Sequence, residues 1–337
     1  MKQYTTPSLI GLSVLALIVS SFMPVMQVNA VTAPSAPTGQ ALEIAPPVLT
    51  LSANPGETVK SQISLRDVSS GSLVVTGQVN DFVASGEDGT PKILLDEGEP
   101  NPYSLKTWVA PLPKLSLKSR QIENLPVSIK VPKNAAPGGY YGVVRFTATP
   151  PELDGTGVSL SASLGALILL KVNGAAKEGL SIEEFSINNG GKAKTLFETA
   201  PLTFVERLKN TGNIHEQPAG QVVVTDMFGK KVAAVNVNLP PRNILPQSIR
   251  KFEQKLDKSV LGDRQLFGKY TATFTGTYGS EATKKTISAT QTFWVIPYTL
   301  IGVGIAVLIG GFLILRILIR RYNRHIIKQA SKAKTKR

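Results

Sequence analysis

The sequence predicts an all-β fold, two β-sandwiches in tandem, followed by a single C-terminal transmembrane helix. Three observations predict it. Apolar and polar residues alternate with a period of two in many short runs. Turn signals rich in Gly, Pro and Asn separate those runs. Near the C-terminus, the stretch from Phe293 to Leu315 contains no charged residue. A period of two means a sheet with one face buried and the other wet. Many short strands with turns between them argue a sandwich. About 20 apolar residues in a helix cross a hydrocarbon core ~30 Å thick, so the uncharged run is long enough to span. A buried core helix would show a polar face, and this run has none.

In chain order, residues 1–30 read as a secretory signal. Lys2 is a thin basic region and Leu9 to Phe22 is the apolar stretch. Val28-Asn29-Ala30 is a small-x-small ending that puts cleavage after Ala30. An uncleaved anchor over Leu9–Val25 is the alternative. Residues 31–41 are rich in Pro, Ala and Thr without periodicity and read as a flexible leader. Strands begin near 42. Val59, Ile63 and Leu65 alternate with polar residues, and Leu125, Val127, Ile129 and Val131 do so most clearly. A helical period is limited to a short stretch around Asp257–Leu261. The pattern resets at Asn173–Gly179, a polar, Gly-bearing link. It divides a first sandwich, 42–175, from a second, 176–292. The span 293–315 and a basic tail 316–337 complete the chain.

The two halves repeat each other weakly. Gly139-Tyr140-Tyr141-Gly142-Val143-Val144 aligns with Lys269-Tyr270-Thr271-Ala272-Thr273-Phe274 at one constant offset. Leu65-Arg66-Asp67 likewise echoes Leu208-Lys209-Asn210. A Tyr at the start of a late strand in each half fits a tyrosine corner, which makes the sandwiches Ig-like.

The net charge of +14 is concentrated at one end. Nine basic residues and no acidic ones follow Leu315, whereas all 23 acidic residues lie before it. A basic flank beside a span puts the tail in the cytoplasm and the large N-terminal part outside. This is the pattern of a single-pass plasma-membrane protein, and it argues against a nucleic-acid partner. The chain has no cysteine, which excludes disulfides, thiol nucleophiles and thiolate metal sites. It has two histidines. His215 reads as a solvated loop residue, and one such residue cannot build a two-His metal site. With no G-x-S-x-G elbow and no P-loop, the sequence points to a non-enzyme without cofactor or metal.

Three constellations carry alternative readings. Asp81, Glu87, Asp88, Asp96, Glu97 and Glu99 crowd one inter-strand stretch. A solvated long loop explains them; convergence on Ca²⁺ or a glycosidase carboxylate pair are the sharper alternatives. Tyr103 and Trp108 could stack on sugar rings, or Trp108 could fill the core between two sheets, as sandwich tryptophans commonly do. Gly302, Ala306 and Gly310 recur every four residues in the span, a spacing that lets helices approach closely. On that basis the chain could instead be an assembly subunit that associates through its transmembrane helix.

Several segments resemble the N-terminal domain of WxL-interacting proteins of Gram-positive bacteria. They are Ile44-Ala45-Pro46-Pro47, Asn54-Pro55-Gly56-Glu57-Thr58, Leu65-Arg66-Asp67 and the run from Pro132 to Gly142. The signal sequence and the single C-terminal span with its basic tail match the same layout. The resemblance implies a cell-surface protein whose first Ig-like domain binds peptidoglycan. It further implies that the second domain binds host or partner proteins, in association with WxL-domain surface proteins. It carries over no residue-level binding motif. With no stalk before Trp294, the second sandwich is expected beside the bilayer and the first is expected to be free to reach outward.

Overall fold

The computed structural model describes residues 42–95, 101–149, 162–281 and 283–334. The signal 1–30 with its cleavage at Ala30, the leader 31–41, and Asp96, Glu97 and Glu99 lie outside the described residues. The fold is two tandem Ig-like β-sandwiches followed by one long C-terminal helix.

The first sandwich contains β1 (Leu42–Ala45), β2 (Val48–Ala53), β3 (Thr58–Asp67), β4 (Leu73–Ser85), β5 (Thr90–Leu94), β6 (Leu115–Leu117), β7 (Ile122–Lys130), β8 (Gly138–Thr149) and β9 (Ala162–Val172). One sheet runs β1-β3-β7 and the other β2-β9-β8-β4-β5, with β6 paired to β4. The second contains β10 (Leu180–Asn189), β11 (Lys192–Ala193), β12 (Leu196–Phe197), β13 (Leu202–Asn210), β14 (Ala219–Asp226), β15 (Lys231–Val237), β16 (Ile249–Leu256), β17 (Gly268–Tyr278) and β18 (Lys285–Val295). Its sheets run β11-β10-β13-β16 and β12-β18-β17-β14-β15. The short helix α1 (Lys258–Leu261) is capped by Asp257, whose carboxylate accepts from the Ser259 amide. Such a cap satisfies an N–H that the first turn leaves without a partner.

The main strands of the two sandwiches correspond. β2 lies parallel to β9 at one edge, as β12 does to β18. Leu42 pairs with Asp67 on β3, and Leu180 pairs with Asn210 on β13. Both Asp67 and Asn210 are fully buried. Each turns its side-chain oxygen onto the amide two residues on, Ser69 at 2.7 Å and Gly212 at 2.8 Å. The faint echo of Leu-Arg-Asp in Leu-Lys-Asn therefore reflects one Asx turn made twice. The tyrosines correspond as well. Tyr140 Oη donates to the Ala136 carbonyl at 3.0 Å and Tyr270 Oη to that of Phe267 at 3.2 Å.

Each sandwich has its own apolar core. Ile63, Leu65, Leu125, Ile129, Phe146 and Ile168 fill the first. Phe204, Leu208, Val222, Phe252, Phe274 and Phe293 fill the second. β8 and β9 read as nearly continuous apolar runs because both of their faces are covered. Val144, Phe146, Ile168 and Leu170 point into the core, whereas Tyr141, Val143 and Leu169 form a separate cluster on the other face with Phe82.

The helix α2 (Tyr298–Lys334) starts later than the uncharged run. Phe293 and Val295 are buried in the second core as the last residues of β18, paired with Tyr270 and Gly268. Pro297 ends the strand pairing, because proline lacks the N–H a ladder needs. The stretch long and apolar enough to cross a membrane is thus Tyr298–Arg324 rather than 293–315. Its apolar side chains face outward all round.

Candidate binding site at the junction of the sandwiches

The sandwiches are fastened at three points. The first is a turn. Asn210 Nδ2 donates to the carbonyls of Ile214 and Ile244, fixing the loop from Thr211 to His215. That loop presents Asn213, whose Nδ2 donates to Pro137 O at 2.9 Å. The Gly139 amide donates to Asn213 O at 2.8 Å. A Cβ on Gly138, whose φ is +152°, would sit 3.1 Å from that same carbonyl oxygen. The Pro-Gly-Gly-Tyr segment is glycine-rich here because another backbone lies against it.

The second fastening is the link itself. Asn213 Oδ1 accepts from the Lys177 amide at 2.7 Å. A Cβ on Gly212 would meet Lys177 O at 2.2 Å. Glu178 accepts from Ser280 N at 3.1 Å and from the Thr283 hydroxyl. The link is therefore bonded to the second sandwich at both Lys177 and Glu178.

The third is the acidic stretch. Asp81 to Leu94 is a β-hairpin formed by β4 and β5, not a solvated long loop. Its tip reaches the second sandwich. Lys251 N donates to Glu87 O at 2.7 Å, which extends pairing onto the edge strand β16. Arg207 grips the Glu87 carboxylate with two nitrogens, Nε at 2.8 Å and Nη2 against Oε1, while its Nη1 lies 3.3 Å from Glu184. That grip holds the Glu87 carboxyl below its ordinary range. Arg250 Nη2 donates to Asp88 O at 2.9 Å. Asp81 accepts from the Ser104 hydroxyl at 2.7 Å, apart from the tip. Among the described residues, no group of three or more His, Asp or Glu could hold a metal ion.

Beside the hairpin lies a groove of about 310 Å³. Val48, Phe82, Leu167 and Leu169 of the first sandwich and Ile244 and Leu245 of the second form its apolar walls. Arg242 and Arg250 bring positive charge to it. Arg250 Nε has no hydrogen-bond partner among the described residues, and burial lowers the pKa of its guanidinium. A second groove of about 480 Å³ is more polar and carries Lys171, Glu178, His215, Glu216 and Lys284.

His215 is not the solvated residue its loop position suggests. Its ring packs edge-on to Tyr141, with Nδ1 3.3 Å from the phenol oxygen. Burial, with Lys171 nearby, pushes its pKa down to about 4, so the ring is neutral at pH 7. Burial also pushes Glu216 up to about 7, despite a bond from Gly279 N at 3.1 Å. Burial raises the Tyr141 phenol.

The sequence-proposed residues fall in separate places. Tyr103 is half-buried, its ring 6.3 Å from Tyr141. Trp108 packs on the first core with its ring 4.3 Å from that of Tyr140. Gly302, Ala306 and Gly310 lie on α2, far along the sequence from both aromatics. Sequence reasoning did not single out Glu87 with Arg207, or Asn213 with Pro137. Asn213 had a faint signal, because it closes an Asn-Thr-Gly-Asn turn.

No protein-family model matches the chain, and no curated protein matches it. Partial likeness to solved structures exists. The class 5 fimbriae chaperone CfaA is 14% identical, with 75% of this chain and 98% of that one covered at a TM-score of 0.36. A chain from the Salmonella enterica SafA pilin–SafB chaperone complex is 12% identical, with 76% and 99% covered at 0.36. A PapD-like domain of human CEP192 is 16% identical, with 45% and 99% covered at 0.29. Likeness at these values is slight.

Proposed function

We propose that this chain is a non-enzymatic, single-pass cell-surface protein that binds a surface-protein partner at the junction of its Ig-like sandwiches. The apolar groove between the sandwiches carries this reading. It is formed by both sandwiches and lined by apolar side chains with Arg242 and Arg250 beside them. A preformed apolar cleft with a few fixed polar groups suits a ligand that pays little ordering cost. Its chemistry fits an apolar protein segment bearing an acidic group. The large N-terminal part lies outside the plasma membrane and the basic tail in the cytoplasm. The resemblance to WxL-interacting proteins supplies the partner class, a WxL-type surface protein, and adds peptidoglycan as a ligand of the first sandwich.

The test incubates the full chain in detergent with a purified WxL-domain protein and, separately, with purified peptidoglycan. Capture of the WxL-domain protein that falls at least about tenfold in Arg242→Glu, roughly 1.4 kcal/mol of binding, supports the groove. Capture unchanged in both Arg242→Glu and Val48→Lys would refute it, as would no capture of either ligand.

A further inference from the structure

We propose that the lower end of the second sandwich docks into the outer lipid leaflet through Phe228, Met227, Phe267 and Trp294. This rests on the reading of α2 as a membrane span. The register brings these residues to one end of one sheet. Asp226 pairs with Tyr270, Tyr270 with Phe293, and Gly268 with Val295. The β14–β15 hairpin tip at Met227-Phe228, Phe267 before β17, and Trp294 near the end of β18 therefore lie together. The Met227 methyl would be 2.9 Å from a Cβ on Gly268, so the tip touches the start of β17.

The chain enters the helix at that same end. Only Ile296 and Pro297 separate β18 from α2, and the Thr299 hydroxyl bonds the Glu198 carboxylate of the sandwich. If α2 spans, this end stands at headgroup level. Its apolar residues are strongly exposed: Phe228 87%, Phe267 66%, Met227 57% and Trp294 44%. Away from that end, the outer face of β17 and β18 is polar. Thr271, Thr273, Thr275 and Thr277 line β17, and Thr286, Ser288, Thr290 and Thr292 line β18. The pattern turns apolar only at Trp294, where the strand meets the span. Aromatic rings favour that interface. Lys194, Lys230 and Lys269 are exposed at the same end and suit anionic headgroups. A solvated sandwich end has no use for four large apolar side chains, whereas a leaflet covers them.

The chain contains no cysteine, so single cysteines report cleanly. The full chain is reconstituted in vesicles of phosphatidylcholine and phosphatidylglycerol with a fluorophore on Phe228→Cys, Thr286→Cys or Leu308→Cys. Emission is quenched by spin-labelled lipid or by aqueous iodide. Docking predicts that the label at 228 is blue-shifted, loses most of its emission to the lipid quencher and is shielded from iodide. The label at 286, at the opposite end of β18, does the reverse. If 308 meets lipid but 228 behaves like 286, the span stands and docking is overturned. If 228 is shielded from both quenchers, a protein covers it and docking is overturned. If 308 is open to iodide, the span itself fails and docking fails with it.

Discussion

The side-chain amide of Asn213 donates to the carbonyl of Pro137 at 2.9 Å, joining two turns 76 residues apart. Its oxygen also takes the Lys177 amide, so one residue holds the first sandwich, the link and the second sandwich. Replacing it removes two hydrogen bonds whose groups are partly exposed, at a net cost of about 0.5–1.5 kcal/mol each. Asn213→Ala should therefore uncouple the sandwiches. Calorimetry of the full chain should show one cooperative transition separating into two, with the link newly open to protease. A single unsplit transition at the original temperature would show that Asn213 is not the bracket.

The clasp between Glu87 and Arg207 makes a different prediction. Its side chains are each 33% exposed, so salt screens the ion pair and its strength is modest. Its value is positional, since it presses the hairpin tip onto the open edge of β16. Arg207→Glu sets like charges against Glu87 and Glu184 and should free the tip. The Lys251 amide, which bonds Glu87 O, should then exchange with solvent faster. Adding Glu87→Arg to that variant should restore slow exchange. Fast exchange in the double variant would mean that the tip is held by something other than charge.

The contrast between these two contacts explains what could be read in advance. Local signals were legible. Val127, Ile129 and Val131 alternate because one face of β7 meets the core. The Asp67 and Asn210 turns repeat because each closes within two residues. Contacts across the junction were not legible. Glu87 and Arg207 lie 120 residues apart, and nothing in an acidic run names its partner. His215 looked like a solvated residue because its cover, Tyr141, comes from the other sandwich. The helix start was misplaced for a related reason. Phe293 and Val295 are as apolar as the span, but sheet pairing takes them into a core.

Trp108 tests whether the first sandwich uses its aromatics for packing or for a glycan. The indole is half-buried against the core and leans on Tyr140. Full core Trp→Ala changes cost about 3–5 kcal/mol, so a half-buried ring should cost about 2 kcal/mol. Trp108→Ala should lower the denaturant midpoint, and Trp108→Phe should recover most of the loss. A glycan platform predicts another outcome: unchanged stability and loss of co-sedimentation with peptidoglycan.

Glu206 gives stability a dependence on pH. It lies on β13 on the same face as Phe204 and Leu208, it is 0% exposed, and neither carboxylate oxygen has a partner among the described residues. Burial pushes its pKa from 4.5 up to about 8. Between those values the folded chain keeps a proton that the unfolded chain has released. Raising the pH therefore favours unfolding, by at most about 1.4 kcal/mol per pH unit for one group. Glu216, pushed from 4.5 to about 7, acts in the same direction. His215 acts in the opposite one. Its pKa falls from 6.5 to about 4, so over that window the unfolded chain holds the extra proton and stability rises with pH. The terms oppose each other below pH 6.5, and only the glutamates act above it. Urea unfolding should show stability falling from pH 6.5 to 8. Glu206→Gln should remove most of that slope, because glutamine has no proton to lose. An equally steep fall in the variant would assign the slope to another group.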